Sequence, residues 1–452
     1  MTNDPQQRPE DDEPQDPLSE MLGRLLGGEA GMPGLDPAQL AAAGIPTDPT
    51  ALGQVLAQVQ RMLSTAGDGP VNWDLARDLA RQTAVAGGDP SAGDRERRDV
   101  VEALRLAELW LDAVTDLPAA GASAHAWSRS EWVEATLPTW RRLTEPVASS
   151  VADAMADAMA QQAPEEMRPM VAMAGKMLRQ VGGAVFGMQV GQAVGGLARE
   201  VVSSTDVGLP LAGGGTTALL PANVAAFGEG LEVPAEEVRL FLALRESAHA
   251  RLFTHVPWLP QHLLGAVEAY ARGISIDTSR IEDAVSRVDP TDPQALQQAL
   301  SDGLFEPERT PAQQAALDRL ETALALVEGW VDEVVDAAAR ERLSSSAALR
   351  EAVRRRRAAG GPAEHTLASL VGLELRPRRL RDAATLWATL ETARGRGGRD
   401  AVWSHPDLLP TAADLDDPAG FAQRRGDADA ASADVDAALE RLLRGDEGDA
   451  AP

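Results

Sequence analysis

Residues 240–253, "LFLALRESAHARLF", are apolar around nearly the whole circumference of a helix, through Leu240, Phe241, Leu242, Leu244, Ala248, Leu252 and Phe253. A helix of that kind has no face to give to water and must be enclosed by other elements. The chain can enclose it: 452 residues with 44% hydrophobic content allow two or three domains and a substantial core. Arg245, Glu246 and His249 go inside with the helix. A buried charge needs a partner, so this one segment also demands complementary charge from elsewhere in the fold.

The flanks set its limits. Pro234, Glu236 and Glu237 mark a helix start, since proline fits the first turn and acids favour the positive end of the helix dipole. Pro257 ends it. Just upstream, residues 205–234 are rich in Gly and Pro, and Thr216 to Leu220 reads as a strand, the only sheet signal in the chain. Everything else is helical in pattern. Residues 17–162 form a helical region in which Asn72 is a good N-cap and Pro138 a kink or break. Trp110, Trp127, Trp132 and Trp140 are expected in its core. Further helices are expected at about 258–273, 279–288, 293–302, 310–343, 346–359, 363–371 and 377–394, from helical spacing of the apolar positions. Residues 396–421 carry enough apolar side chains to dock on the body. Residues 1–16 and most of 422–452 are polar and charged enough to stay disordered, with a weak helix at 431–444.

Gly183, Gly187, Gly191 and Gly195 recur every four residues along one face of "VGGAVFGMQVGQAVGGLA", 181–198. Small residues so spaced let another backbone come close, from the same chain or from a second copy in a homo-oligomer. With Gln189 and Gln192 inside it, the segment is a poor membrane span. The net charge of −27 argues against general binding to nucleic acid or a membrane surface, both of which are anionic. The run Arg354 to Arg357 reads as the solvated end of a helix. The absence of cysteine excludes disulfides, thiolate nucleophiles and cysteine-ligated metal sites. The acidic, Pro-rich start lacks the features of a signal peptide, which makes a cytoplasmic protein the expectation. No Gly-x-Ser-x-Gly elbow and no phosphate loop ending Gly-Lys-Ser/Thr is present.

The remaining chemistry lies in Arg245-Glu246-Ser247-Ala248-His249. Histidines at both ends of such a pentapeptide lie one turn apart on one helix face and can share a zinc ion, with the glutamate as base toward the metal-bound water. Here the first position is arginine, a permanent cation. The plain structural reading is an intrahelical Arg/Glu/His arrangement.

"LALRESAHARLFTHVPWLPQHLLGAVEAYARGI" resembles the zincin-like metallopeptidase type 2 family of actinobacteria, often labelled hydrolases. The likeness extends through "FGMQVGQAVGGLAREV", "LLPANVAAF", "ALVEGWVDEVVDAA" and "GLELRPRRLRDAATLW", roughly residues 165–395, plus "HPDLLPTAADLDDP". It implies a mainly α fold of the α+β kind, zincin-like, with a small sheet beside the active-site helix. It also implies that Arg245 stands where the family has a first metal-ligating histidine, while Glu246 and His249 match. By the same resemblance Glu328, Gly329 and Trp330 stand where a second helix carries Glu-Gly-His near the metal.

Two functions follow as expectations. In the first the zinc site has degenerated. Arg245 is then a structural cation paired with Glu328 or Glu246, no cofactor is expected, and the chain is a non-catalytic binding or scaffold protein for a protein or peptide partner. The alternative is a zinc-dependent metallopeptidase or hydrolase with an unusual ligand set. Glu246 would be its base, His249 one ligand, Glu268 or Glu328 another, and Tyr270 or His255 a transition-state donor. Trp330, His255 and Tyr270 are the site neighbours in either case.

Overall fold

The computed structural model describes residues 69–162, 168–273, 310–360, 362–373 and 379–443. The expected disordered start at 1–16 and the expected helices at 279–288 and 293–302 lie outside the described residues. Two helices open the described part of the chain, α1 (Trp73–Ala84) and α2 (Asp94–Leu111), before a short strand β1 (Ser123–Ala126). Two long helices follow, α3 (Arg129–Gln162) and α4 (Arg168–Ala198), then strand β2 (Thr216–Leu219) and helix α5 (Pro221–Gly228). The centre holds α6 (Ala235–His255), α7 (Trp258–Arg272) and α8 (Pro311–Ala339). Helices α9 (Ser346–Ala358), α10 (Pro362–Val371), α11 (Leu380–Asp400) and α12 (Pro418–Leu443) complete the described chain. Among the described residues the architecture is mainly helical with one two-stranded sheet, as the sequence leads one to expect.

The all-apolar helix lies at the centre of the described core. In α6 every residue from Phe241 to Leu252 is buried. It packs against α2, α8, α5, α9 and β2, which together supply the enclosure its circumference requires. Asn72 caps α1, its Oδ1 accepting from Leu75 N at 3.0 Å. Trp132 and Trp140 are fully buried, and Trp110 and Trp127 pack at the edge of the same core.

Three local expectations are corrected. Pro138 does not break its helix: α3 runs through both Pro138 and Pro146. The sheet is not confined to 205–234, because Ser123–Ala126 pairs in parallel with β2, Ser123 opposite Thr216 and Ala126 opposite Leu219. "SAHA" carries no β-branched or aromatic residue, so its strand character comes from tertiary pairing and not from propensity. The C-terminal helix is also longer than the expected 431–444, starting at Pro418.

The glycine face of α4 meets α1. A Cβ on Gly187 would lie 2.5 Å from Asn72 O, one on Gly191 2.7 Å from Ala76 O, and one on Gly195 2.5 Å from Ala80 O. These are backbone atoms that cannot swing aside. The surface is therefore taken up by a helix of the same chain. No described helix is long and apolar enough to cross a membrane.

Candidate buried charge site

Positions 245 and 249 point to one side of α6, and position 246 is turned about 100° around the axis. The structure uses the two directions differently. Arg245 and His249 face α8 and the C-terminal end of α9. Glu246 faces β2 and the chain that leads into it.

Glu328, on α8, is the hub of the first side and is 1% exposed. Its Oε2 accepts from Arg245 Nη2 at 2.6 Å. Its Oε1 accepts from Arg357 Nη2 at 2.7 Å, and His249 Nε2 lies 3.1 Å from the same oxygen. The other imidazole nitrogen, Nδ1, is 2.8 Å from the Arg245 carbonyl oxygen. A carbonyl and a carboxylate both only accept, so in this arrangement both ring nitrogens carry a hydrogen, Nδ1 donating to the carbonyl and Nε2 to Glu328 Oε1. Burial alone would push the Glu328 carboxyl up. Arg357, His249 and Arg245 outweigh that and hold it well below the usual carboxylate range.

A second carboxylate sits beside this hub. Asp206, between α4 and β2, accepts from Arg356 Nη1 and from Val202 N, both at 3.0 Å. Burial opposes its ionisation, but Arg356, Arg357, the Val202 N–H and Arg245 keep it below its ordinary value. Gly208 follows on the same segment at φ +77°, and a Cβ there would come within 3.0 Å of Glu328 Oε1. Glycine is needed twice over, for the left-handed backbone and for the close pass over the carboxylate.

Glu246, 0% exposed, is held as firmly on the other side. Its Oε1 accepts from Ala218 N at 3.1 Å and from Ser204 Oγ. Its Oε2 accepts from Thr205 Oγ1 at 2.6 Å and Thr205 N at 3.1 Å. The carboxylate thus ties α6 to β2 and to the turn before it. Glu246→Gln would turn an amide N–H₂ toward donors, two of which are backbone and fixed. The expected loss is about 2–3 kcal/mol, because hydrogen bonds to charge are lost and buried donors are stranded. Urea denaturation reads it directly; an unchanged midpoint would show that these bonds contribute little.

The other expected site residues lie elsewhere. Glu268 pairs with Arg142 and, at 2.9 Å, with Arg272. Tyr270 donates its hydroxyl to Gly372 O at 2.9 Å. His255 Nε2 lies 3.1 Å from Ala119 O, at an exposed position. Trp330 donates to Asp400 Oδ1 at 2.9 Å and packs edge-on against Trp403, within a cluster that also holds Trp387 and the buried Arg399. Among the described residues no group of three or more His, Asp or Glu side chains is placed to hold a metal ion.

Sequence reasoning missed Arg357. The run Arg354–Arg357 is not a solvated helix end: Arg354 pairs with Asp332, Arg356 with Asp206 and Arg357 with Glu328, and only Arg355 is well exposed. The available signal was the demand of the buried acids, which one arginine on α6 could not meet alone.

A sequence profile of the zincin-like metallopeptidase family matches residues 71–422. No curated protein is similar to the chain at a significant level. Among solved structures, one from Chloroflexus aurantiacus, titled as "a putative hydrolase with a novel fold", is similar at a TM-score of 0.55 and 21% sequence identity. The alignment covers 78% of this chain and 98% of that one, which establishes a shared fold.

Proposed function

The chain belongs to the zincin-like metallopeptidase family, and from that premise we propose that it is a member whose metal site has been replaced by an internal ion-pair clamp. It acts as a non-catalytic binding or scaffold protein. The observation that carries this reading is Glu328 held on both oxygens, by Arg245 at 2.6 Å and Arg357 at 2.7 Å.

The donor set supports it. A catalytic zinc takes three protein ligands and an open position. Of the ligand-type side chains described around this face of α6, His249 and Glu328 engage each other and Glu328 is held by two arginines, while Asp206 is held by Arg356. A divalent cation about 4 Å from a guanidinium is repelled by roughly 8 kcal/mol at an effective dielectric near 20, and two guanidiniums are present. The residues in place do not fit zinc. Glu246, the position of the general base in an intact signature, is committed to four hydrogen bonds that hold β2.

The second reading, a hydrolase with an unusual ligand set, rests on Glu246 and His249 keeping their places in the signature. It has Glu268 as a further candidate ligand, and that residue is drawn into ion pairs with Arg142 and Arg272.

Elemental analysis of protein purified without chelator or affinity metal separates the two readings. Zinc far below one equivalent is expected. Stoichiometric zinc that disappears in His249→Ala would overturn the clamp reading.

A further inference from the structure

Two guanidinium groups carry the charge of one divalent cation, and they come from different helices. Arg245 lies on α6 and holds Glu328 Oε2; Arg357 lies at the end of α9 and holds Oε1. The distinction matters because Oε1 is also the oxygen that His249 Nε2 faces, at 3.1 Å. Two ligand atoms sharing a tetrahedral zinc at bonds of about 2.0–2.1 Å stand about 3.3 Å apart. His249 and Glu328 are therefore already spaced as a ligand pair. The group seated on their shared oxygen is Arg357, not the arginine at the signature position. Position 245, one turn before His249 on the same face, is where a third ligand would come from.

We propose that Arg245 and Arg357 together serve as the internal dication of this site, so that metal exclusion has two independent parts. Arg245→His alone leaves Glu328 Oε1 closed by Arg357. Only removal of both guanidiniums opens a zinc site, formed by the imidazole introduced at position 245, His249 and Glu328. Asp206 keeps its own partner in such a protein, because Arg356 at 3.0 Å and the Val202 N–H remain. The inference rests on the clamp reading above and goes beyond it by naming the residue of α9 that closes the site.

The test uses the full chain as wild type, R245H, R357M, R245H/R357M and R245H/R357M/H249A. Each is equilibrated with zinc, desalted and analysed for bound metal. Cobalt loading gives a second readout through the visible absorption of tetrahedral cobalt. Background zinc is expected in the wild type and in both single variants. The double variant should bind stoichiometric zinc and lose it on H249A. Stoichiometric zinc in R245H alone would overturn the two-part lock, and so would a folded double variant that stays at background. Should the double variant be unfolded without metal, its thermal melt is read with and without zinc. A zinc-dependent transition supports the proposal, and its absence overturns it. Zinc in the wild type would instead remove the clamp reading itself, so the two failures are distinguishable.

Discussion

Glu328→Leu is expected to destabilise the protein by about 3–5 kcal/mol, the range for breaking a buried ion pair by removing one partner. The substitution strands more than one charge. Arg245 and Arg357 both lose their carboxylate, and His249 Nε2 loses its acceptor. All three are largely withdrawn from water, the Arg245 and Arg357 side chains being 8% and 10% exposed and that of His249 2%. Arg245→Met should cost less, because Glu328 then keeps Arg357 and His249. Urea denaturation of the two variants gives the order, and a smaller loss for Glu328→Leu than for Arg245→Met would contradict the hub assignment. The clamp also has a pH signature. Glu328 titrates well below its unfolded value of about 4.3. Its contribution is therefore complete above that pH and is lost as the pH falls below it. Glu328→Leu should remove this part of the acid limb of stability.

Gly191→Val is expected to cost at least ~1–3 kcal/mol, the range for overpacking a well-filled interior, and more if α1 is forced away. Even a bare Cβ there meets Ala76 O at 2.7 Å and Leu79 Cβ at 2.8 Å. Gly182 is the internal control. It lies on the same helix with nothing within 4 Å of a Cβ. Gly182→Ala should therefore be neutral or stabilise by up to ~1 kcal/mol through helix propensity. Thermal melts of the two variants should move in opposite directions or differ widely. Equal effects would mean that the α1–α4 contact is looser than its backbone distances imply.

That contact was legible from sequence as a face of small residues, though not the identity of its occupant. A four-residue glycine spacing says that a backbone approaches, and only the fold says it is residues 72–80 of the same chain. The central helix was legible in the same way. Apolar residues on all sides demand enclosure, and Phe241 to Leu252 are enclosed. Strand β1 was not legible, because Ser, Ala and His have no strand preference and pair only because β2 is beside them. Pro138 misled as well: α3 continues across it, with Trp132 and Trp140 fully buried on either side, although proline breaks isolated helices.

In the charge site, an arginine inside an apolar helix announces a need for a carboxylate, and Glu328 meets Arg245 at 2.6 Å. The spacing could not announce Arg357, since four arginines in a row look alike until the fold aims them. Glu246 shows the same limit. Its place in the pentapeptide suggests chemistry, while its four hydrogen bonds come from Ser204, Thr205 and Ala218, about 28–42 positions away, and give it a structural task.

The most direct test of the clamp is a crystal of the wild-type protein grown after incubation with zinc, with an anomalous difference map recorded at the zinc edge. The account predicts no anomalous peak between His249 Nε2 and Glu328, with the Arg245 and Arg357 guanidiniums still on the carboxylate. A peak at about 2.0–2.1 Å from His249 Nε2, the coordination distance of zinc to histidine, with either arginine displaced from Glu328, would contradict it.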